Sequence, residues 1–369
     1  MERILKLYMD QLKQPHMTYR EYMEFVLYHP TSGYYNRNQE KIGVRGDFYT
    51  SSNISDVFGS VLGRWFLHLF ATYDIPLHII EIGAGTGRIT HAVLSYIQTQ
   101  NEQLYKQLQY TVIERSTFHL QKQREILENY DHITYMHDLD NLDELKGIVF
   151  SNELFDAFPV HVIEQKEGMI YEVMVAMNEN DLVERYVILQ NKEIEKYLET
   201  YRIELIEGQR IEIPLPMMQY YHTLCNKITR GILVTIDYGY TNEQWKESIH
   251  RKGSLRGYYQ HHLLDNVLQK PGEMDITTHI HWDTLQSKGN KHQMQTVSFQ
   301  AQTDFLVACG ILEDLRNSIS TDPFSPEHKR NRAIRSLIQP GEISSHFQVL
   351  IQMKHLEMDR NALFPISKV

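Results

Sequence analysis

Apolar residues recur along this chain in two rhythms, and the change from one to the other outlines a fold. Within residues 1–28, Tyr19, Tyr22, Met23, Phe25, Val26 and Leu27 make the apolar face of a helix. The turn cluster His29-Pro30-Thr31-Ser32-Gly33 ends it. A helix over 54–71 follows. From residue 78, short apolar runs alternate with helical stretches. Strands are predicted at His78–Ile82, Tyr110–Ile113, Ile133–Met136 and Gly147–Ser151, with helices over 88–100 and 116–129. Such alternation indicates a parallel sheet with crossover helices. Between 160 and 213 the rhythm breaks: Met169–Met174 and Glu184–Leu189 alternate as strands, and a helix is predicted near 192–201. Gly231–Ile236 returns to the buried-strand pattern, and His346–Met353 is the last predicted strand. The expected fold is α/β with a Rossmann-like sheet. Residues 1–72 are expected to form an N-terminal helical lid region, 73–160 and 226–369 the core, and 161–225 an inserted α+β lobe.

The sharpest local signal is Ile79-Ile80-Glu81-Ile82-Gly83-Ala84-Gly85-Thr86-Gly87, a hydrophobic strand running into a glycine-rich turn and then a helix. Glycines there let the backbone take positive φ and approach a ligand with no Cβ in the way. The helix start offers unpaired amide donors. A dinucleotide fingerprint would need a third glycine at position 88, which is Arg88, so a nicotinamide enzyme is disfavoured. With Glu81 two residues before Gly83, the segment instead looks like the first motif of S-adenosylmethionine-dependent methyltransferases. Glu81, Gly83, Ala84, Gly85 and Gly87 are then candidate cofactor-binding positions. The second strand ends in Glu114, where a carboxylate could accept from both ribose hydroxyls. Asp138, with Asp140 as a rival, follows the third strand where an adenine contact is expected. The plainer readings are a tight strand-to-helix turn and acids that begin helices.

Further segments extend the likeness. Ser151-Asn152-Glu153-Leu154-Phe155-Asp156-Ala157-Phe158-Pro159-Val160 follows the fourth strand, and Gly46-Asp47-Phe48-Tyr49-Thr50-Ser51 lies upstream. Leu27-Tyr28-His29-Pro30 with Gly33-Tyr34-Tyr35, Ile236-Asp237-Tyr238-Gly239-Tyr240, Gly253-Ser254-Leu255-Arg256-Gly257-Tyr258 and Pro271-Gly272-Glu273-Met274-Asp275-Ile276-Thr277 complete the pattern, together with Phe305-Leu306 between Gln302 and Gly310. In this order they resemble the MidA family of methyltransferases over about residues 15–353. Ala84 and Ser254 depart mildly from it, since proline and threonine are frequent there. The resemblance implies methyl transfer from S-adenosyl-L-methionine to a protein. A mitochondrial member is a complex I assembly factor associated with symmetric dimethylation of an arginine.

Methyl transfer to arginine needs little beyond positioning and a grip on a guanidinium that is protonated at neutral pH. Glu153 and Asp156 are the expected catalytic carboxylates, with Asn152 shaping the cofactor side. Gly46, Asp47, Thr50 and Ser51 are expected to form a lid over the cofactor. Asp237, Tyr238 and Arg256 are expected on the substrate side.

Composition narrows the alternatives. A net charge of −10 argues against general nucleic-acid binding. Cys225 and Cys309 are far apart, with no zinc spacing. His261, His262, His279 and His281 form the closest histidine group, and no metal is expected. No apolar run reaches the length of a membrane span, and the N-terminus shows neither a signal nor a transit pattern. The expectation is a cytoplasmic, bacterial-type protein with no membrane partner, monomeric or homodimeric. Two rival functions stay open: a non-catalytic cofactor-binding assembly factor or chaperone, and a small-molecule methyltransferase.

Overall fold

The computed structural model describes residues 1–12, 14–37, 52–179, 181–260, 262–316, 322–339 and 347–366. The chain gathers into two compact units. One comprises Thr50–Leu154, Thr223–Tyr238 and Gly289–Val369; the other comprises Met1–Tyr49, Phe155–His222 and Gly239–Lys288.

The first unit is built on the expected sheet. Its strands run in the order Gln295–Ala301, Phe347–Lys354, Ile228–Tyr240, Leu145–Asn152, His78–Ile82, Gln109–Ile113, Ile133–Met136. His78–Ile82 lies in the interior, parallel to both neighbours, with Ile79 opposite Tyr110 on one side and Ile148 on the other. Phe347–Lys354 runs antiparallel to Ile228–Tyr240, setting Ile351 against Val234. Parallel strands covered on both faces are apolar nearly throughout, and Ile79, Ile80, Val112, Ile148, Val149, Phe150, Ile232 and Val234 are buried. The carboxyl ends of four parallel strands bring the glycine-rich turn, Glu114, Asn152 and Asp237 to one edge, where open α/β sheets bind ligands.

The unit limits differ from the sequence expectation in two places. Helix Ser52–Thr72, assigned to the lid region, buries Val57, Val61, Leu62, Trp65, Phe66 and Leu69 in the core of the sheet unit. Its apolar residues run around most of its circumference, as a core helix requires. Residues 239–288, assigned to the core, belong instead to the second unit. There Arg256–Tyr259 pairs with His262–Leu264 and Asp275–Thr277 in a small antiparallel sheet.

The larger sheet of the second unit orders His16–Thr18, Met169–Asn178, His161–Lys166 and Arg210–Ile213, with Asp181–Ile188 also on Met169–Asn178. Helix Tyr19–Tyr28 starts at a capping box, in which Glu21 N donates to Thr18 Oγ1 and Thr18 N donates to Glu21 Oε2. Its buried face, Tyr19, Tyr22, Met23, Val26 and Leu27, packs in one core with Val160, Val162, Val173, Val175, Met274 and Ile276. No described helix is long and apolar enough to cross a membrane.

Candidate active site

The turn after His78–Ile82 depends on glycine. Gly83, Gly85 and Gly87 have φ of +73°, +54° and +82°, the left-handed region that β-carbons disfavour. At Gly83 a Cβ would stand 2.8 Å from Leu154 Cδ1, and at Gly87 3.1 Å from Gln123 Cγ. At Gly85 a Cβ would meet nothing within 4 Å, so the middle of the turn faces open space. Gly83 N donates to Ile113 O, and Gly87 N to Ala84 O, which closes the turn before helix Arg88–Gln100. Ala84 itself packs against the sheet core.

Glu114 holds this loop from the next strand. Its Oε2 accepts from Gly85 N at 3.1 Å and its Oε1 from Ser116 N at 2.9 Å. The residue is buried, yet a carboxylate has about four acceptor directions and two are used here. Gln123 Nε2 donates to Gly85 O at 2.7 Å, so the loop is clamped on both sides of Gly85. The open space at Gly85 and the buried carboxylate beside it fit a polar, hydroxyl-bearing cofactor. Gln123 escaped the sequence reading. Its signal was a polar residue on the inward face of helix Thr117–Ile126.

Glu81 is braced inside the unit. Its Oε2 accepts from Thr90 Oγ1 and from Tyr110 OH, each at 2.6 Å. Burial pushes its carboxyl up to about 7; the two hydrogen bonds act against that rise and the charge of Glu114 adds to it. Glu81 thereby ties helix Arg88–Gln100 and strand Gln109–Ile113 to the motif strand. Asp138 caps the short turn Leu139–Asn141, its Oδ1 accepting from Asp140 N at 3.2 Å.

The segment after Leu145–Asn152 leaves the sheet through a strained residue. Glu153 has φ of +49°, uncommon for a residue with a side chain. Its N donates to Ile236 O at 2.9 Å, beside Asp237. Asn152 Nδ2 donates to Glu153 Oε1 at 3.0 Å. Glu153 is exposed and Asp237 is buried. Tyr238 meets Phe347 edge-on.

Asp156 belongs to the second unit and is buried there. Its carbonyl accepts from Thr278 N at 2.9 Å, and the next carbonyl, of Ala157, accepts from Tyr28 OH at 2.8 Å. Tyr28 stacks on Tyr35, whose hydroxyl donates to Asp275 Oδ1 at 2.6 Å. Arg256 is in the same unit, with Nη1 donating to Leu255 O and Nε 3.7 Å from Asp265 Oδ1. Gly46, Asp47, Thr50 and Ser51 lie outside the described residues, as does His261. His281 is buried, and its Nδ1 is 3.0 Å from Tyr197 OH. Among the described residues no group of three or more His, Cys, Asp or Glu side chains is arranged to hold a metal.

Known proteins resemble this chain over most of its length. A protein arginine methyltransferase NDUFAF7, mitochondrial, from Danio rerio is 25% identical over 94% of this chain and 87% of its own length. The NDUFAF7 homologue of Drosophila melanogaster is 26% identical over 74% of this chain and 67% of its own. A crystal structure from Burkholderia thailandensis with bound S-adenosyl-homocysteine superposes with a TM-score of 0.87 at 23% identity, covering 100% of this chain and 95% of that one, and shows the same fold. The family model described as "Putative S-adenosyl-L-methionine-dependent methyltransferase" matches residues 61–300. The cofactor is therefore S-adenosyl-L-methionine, and the chain belongs to this family of S-adenosyl-L-methionine-dependent methyltransferases.

Proposed function

We propose that the protein methylates an arginine side chain of another protein, and that Asp156 is a carboxylate that holds the acceptor. The observation that carries this reading is Asp156 itself. It is a buried carboxylate on the segment that continues the fourth sheet strand, and the backbone is pinned at its own carbonyl and at that of Ala157. The names of the relatives, protein arginine methyltransferases over nearly the whole chain, support the acceptor.

S-adenosyl-L-methionine supplies an activated methyl group. The protein's part is to present one guanidinium nitrogen in line with it. A guanidinium spreads its charge over three nitrogens, so no single one is a good nucleophile. Carboxylates that accept two of its N–H groups draw the charge to that side and free the lone pair of the remaining nitrogen. As the new N–C bond forms, the sulfur–methyl bond would break and release S-adenosyl-homocysteine, and the proton lost from nitrogen would pass to a carboxylate and then to water.

The test uses lysate from cells lacking this protein, to which purified enzyme and methyl-labelled S-adenosyl-L-methionine are added. Label on protein arginine is the expected result. Asp156→Asn should lower the labelling rate about a hundredfold or more while cofactor affinity by calorimetry stays the same. Wild-type labelling by this variant would sink the role of Asp156. Label confined to small molecules would favour a metabolite acceptor.

A further inference from the structure

The surroundings of Asp156 in the second unit form a closed circuit. Asp156 O accepts from Thr278 N, and Ala157 O accepts from Tyr28 OH. Tyr28 stacks on Tyr35 with ring centroids 5.3 Å apart. Tyr35 OH donates to Asp275 Oδ1 at 2.6 Å, and Asp275 begins the short strand Asp275–Thr277 that leads directly to Thr278. The circuit thus leaves Asp156, runs through the N-terminal tyrosines, and returns to Asp156 along the segment 275–278. Asp156 and Asp275 are both buried. Burial first, then the charge of Asp275, the neighbouring Tyr28 and the charge of Asp156 push the Tyr35 hydroxyl well up, so it stays a proton donor at any working pH.

We infer that Tyr28 and Tyr35 are positioning residues for methyl transfer, which act by fixing the backbone that carries the Asp156 carboxylate. The inference rests on the reading of Asp156 given above. Its physical basis is that a misplacement of about 1 Å in a gripping group costs on the order of a hundredfold in rate. Two hydrogen bonds to successive carbonyls hold the Asp156–Ala157 and Ala157–Phe158 peptides, the stretch of chain directly after the carboxylate. Neither donor is near in sequence, so the carboxylate's place depends on the circuit.

The same helix provides the control. Tyr22 OH donates to Val267 O at 2.8 Å, a bond of the same kind and length as the one from Tyr28 to Ala157, but to a carbonyl that is not part of the circuit. Tyr22→Phe and Tyr28→Phe each delete one tyrosine-to-carbonyl hydrogen bond from helix Tyr19–Tyr28. Labelling rates would be measured with methyl-labelled S-adenosyl-L-methionine and the same lysate, alongside cofactor affinity by calorimetry and thermal unfolding. The expected result is a loss of about tenfold or more in rate for Tyr28→Phe, cofactor affinity within about twofold of wild type, and a Tyr22→Phe rate within about twofold of wild type. Tyr35→Phe, which opens the circuit at Asp275, should fall in the same direction as Tyr28→Phe. A wild-type rate for Tyr28→Phe, or equal losses in Tyr22→Phe and Tyr28→Phe, would overturn the inference. If Asp156→Asn is slow while Tyr28→Phe is not, only the positioning role fails. If Asp156→Asn labels normally, the reading beneath it fails.

Discussion

Replacing Glu81 by glutamine isolates the energetic cost of a charge inside the motif strand. Glu81 is 3% exposed, and its Oε2 accepts from Thr90 and Tyr110. Its carboxyl is raised from an ordinary 4.5 to about 7, with burial as the largest cause. A carboxyl raised on folding binds its proton more tightly in the native state than in the unfolded chain. Its stabilising contribution is thus complete below about pH 4.5 and is lost as pH rises through about 7. The interval corresponds to roughly 3 kcal/mol. Glutamine keeps an oxygen that can accept from both hydroxyls and carries no charge at any pH. Hydrogen exchange in peptides spanning 78–82 and 109–113 reports opening of this sheet. At about pH 5 wild type and Glu81→Gln should match to about 1 kcal/mol. By about pH 8 the variant should be the more stable by roughly 3 kcal/mol. A stability gap that stays constant across this range would refute the assignment. So would a variant less stable than wild type at about pH 8, since that would mean the folded protein favours the ionised carboxylate.

Two further substitutions test the glycine geometry. Gly85→Ala puts a methyl into the open centre of the turn, where nothing lies within 4 Å and φ is +54°. It should cost about 1 kcal/mol in stability through the left-handed backbone, but weaken S-adenosyl-L-methionine binding by about tenfold or more in calorimetry. Unchanged affinity would show that the cofactor does not occupy that space. Gly253→Ala should destabilise the second unit by about 2 kcal/mol or more, read as a lower midpoint in urea, because φ is +74° and the new carbon would stand 2.3 Å from Glu212 Oε1. A midpoint equal to wild type would mean that Glu212 can turn away without loss, although its Oε2 accepts from both Ser254 N and Ser254 Oγ.

What could be read from the chain alone is what lies close together in it. Residues 79–87 carry strand, turn and helix start in one run, so the glycine-rich turn was legible before its geometry. Glu114 stood out because the next strand ends in an acid, while its hydrogen bond to Gly85 N came only with the fold. The circuit around Asp156 was not, because Tyr28, Asp156 and Thr278 are brought together only by tertiary folding. Strand Gln295–Ala301 went unseen for a different reason. It is an edge strand, half-buried along most of its length, and its alternation is short, with Val297, Phe299 and Ala301 as its only apolar residues. His161–Lys166 was missed because its first three residues are buried and its last three are not, which is neither rhythm. Helix Ser52–Thr72 was placed correctly as a helix but in the wrong unit. Periodicity reports which face is apolar, not which core receives it.

The position of Phe347–Lys354 between Ile228–Tyr240 and Gln295–Ala301 has a consequence for synthesis on the ribosome. The strand that joins those two is the last of the sheet to emerge. Until it does, Ile228–Tyr240 presents an open edge to solvent, and Gln295–Ala301 has no sheet partner to pair with. Such an edge is a template for pairing with other chains. The nascent protein therefore carries its greatest tendency to associate wrongly late in translation, after the glycine-rich turn and the segment with Glu153 and Asp156 have already been made.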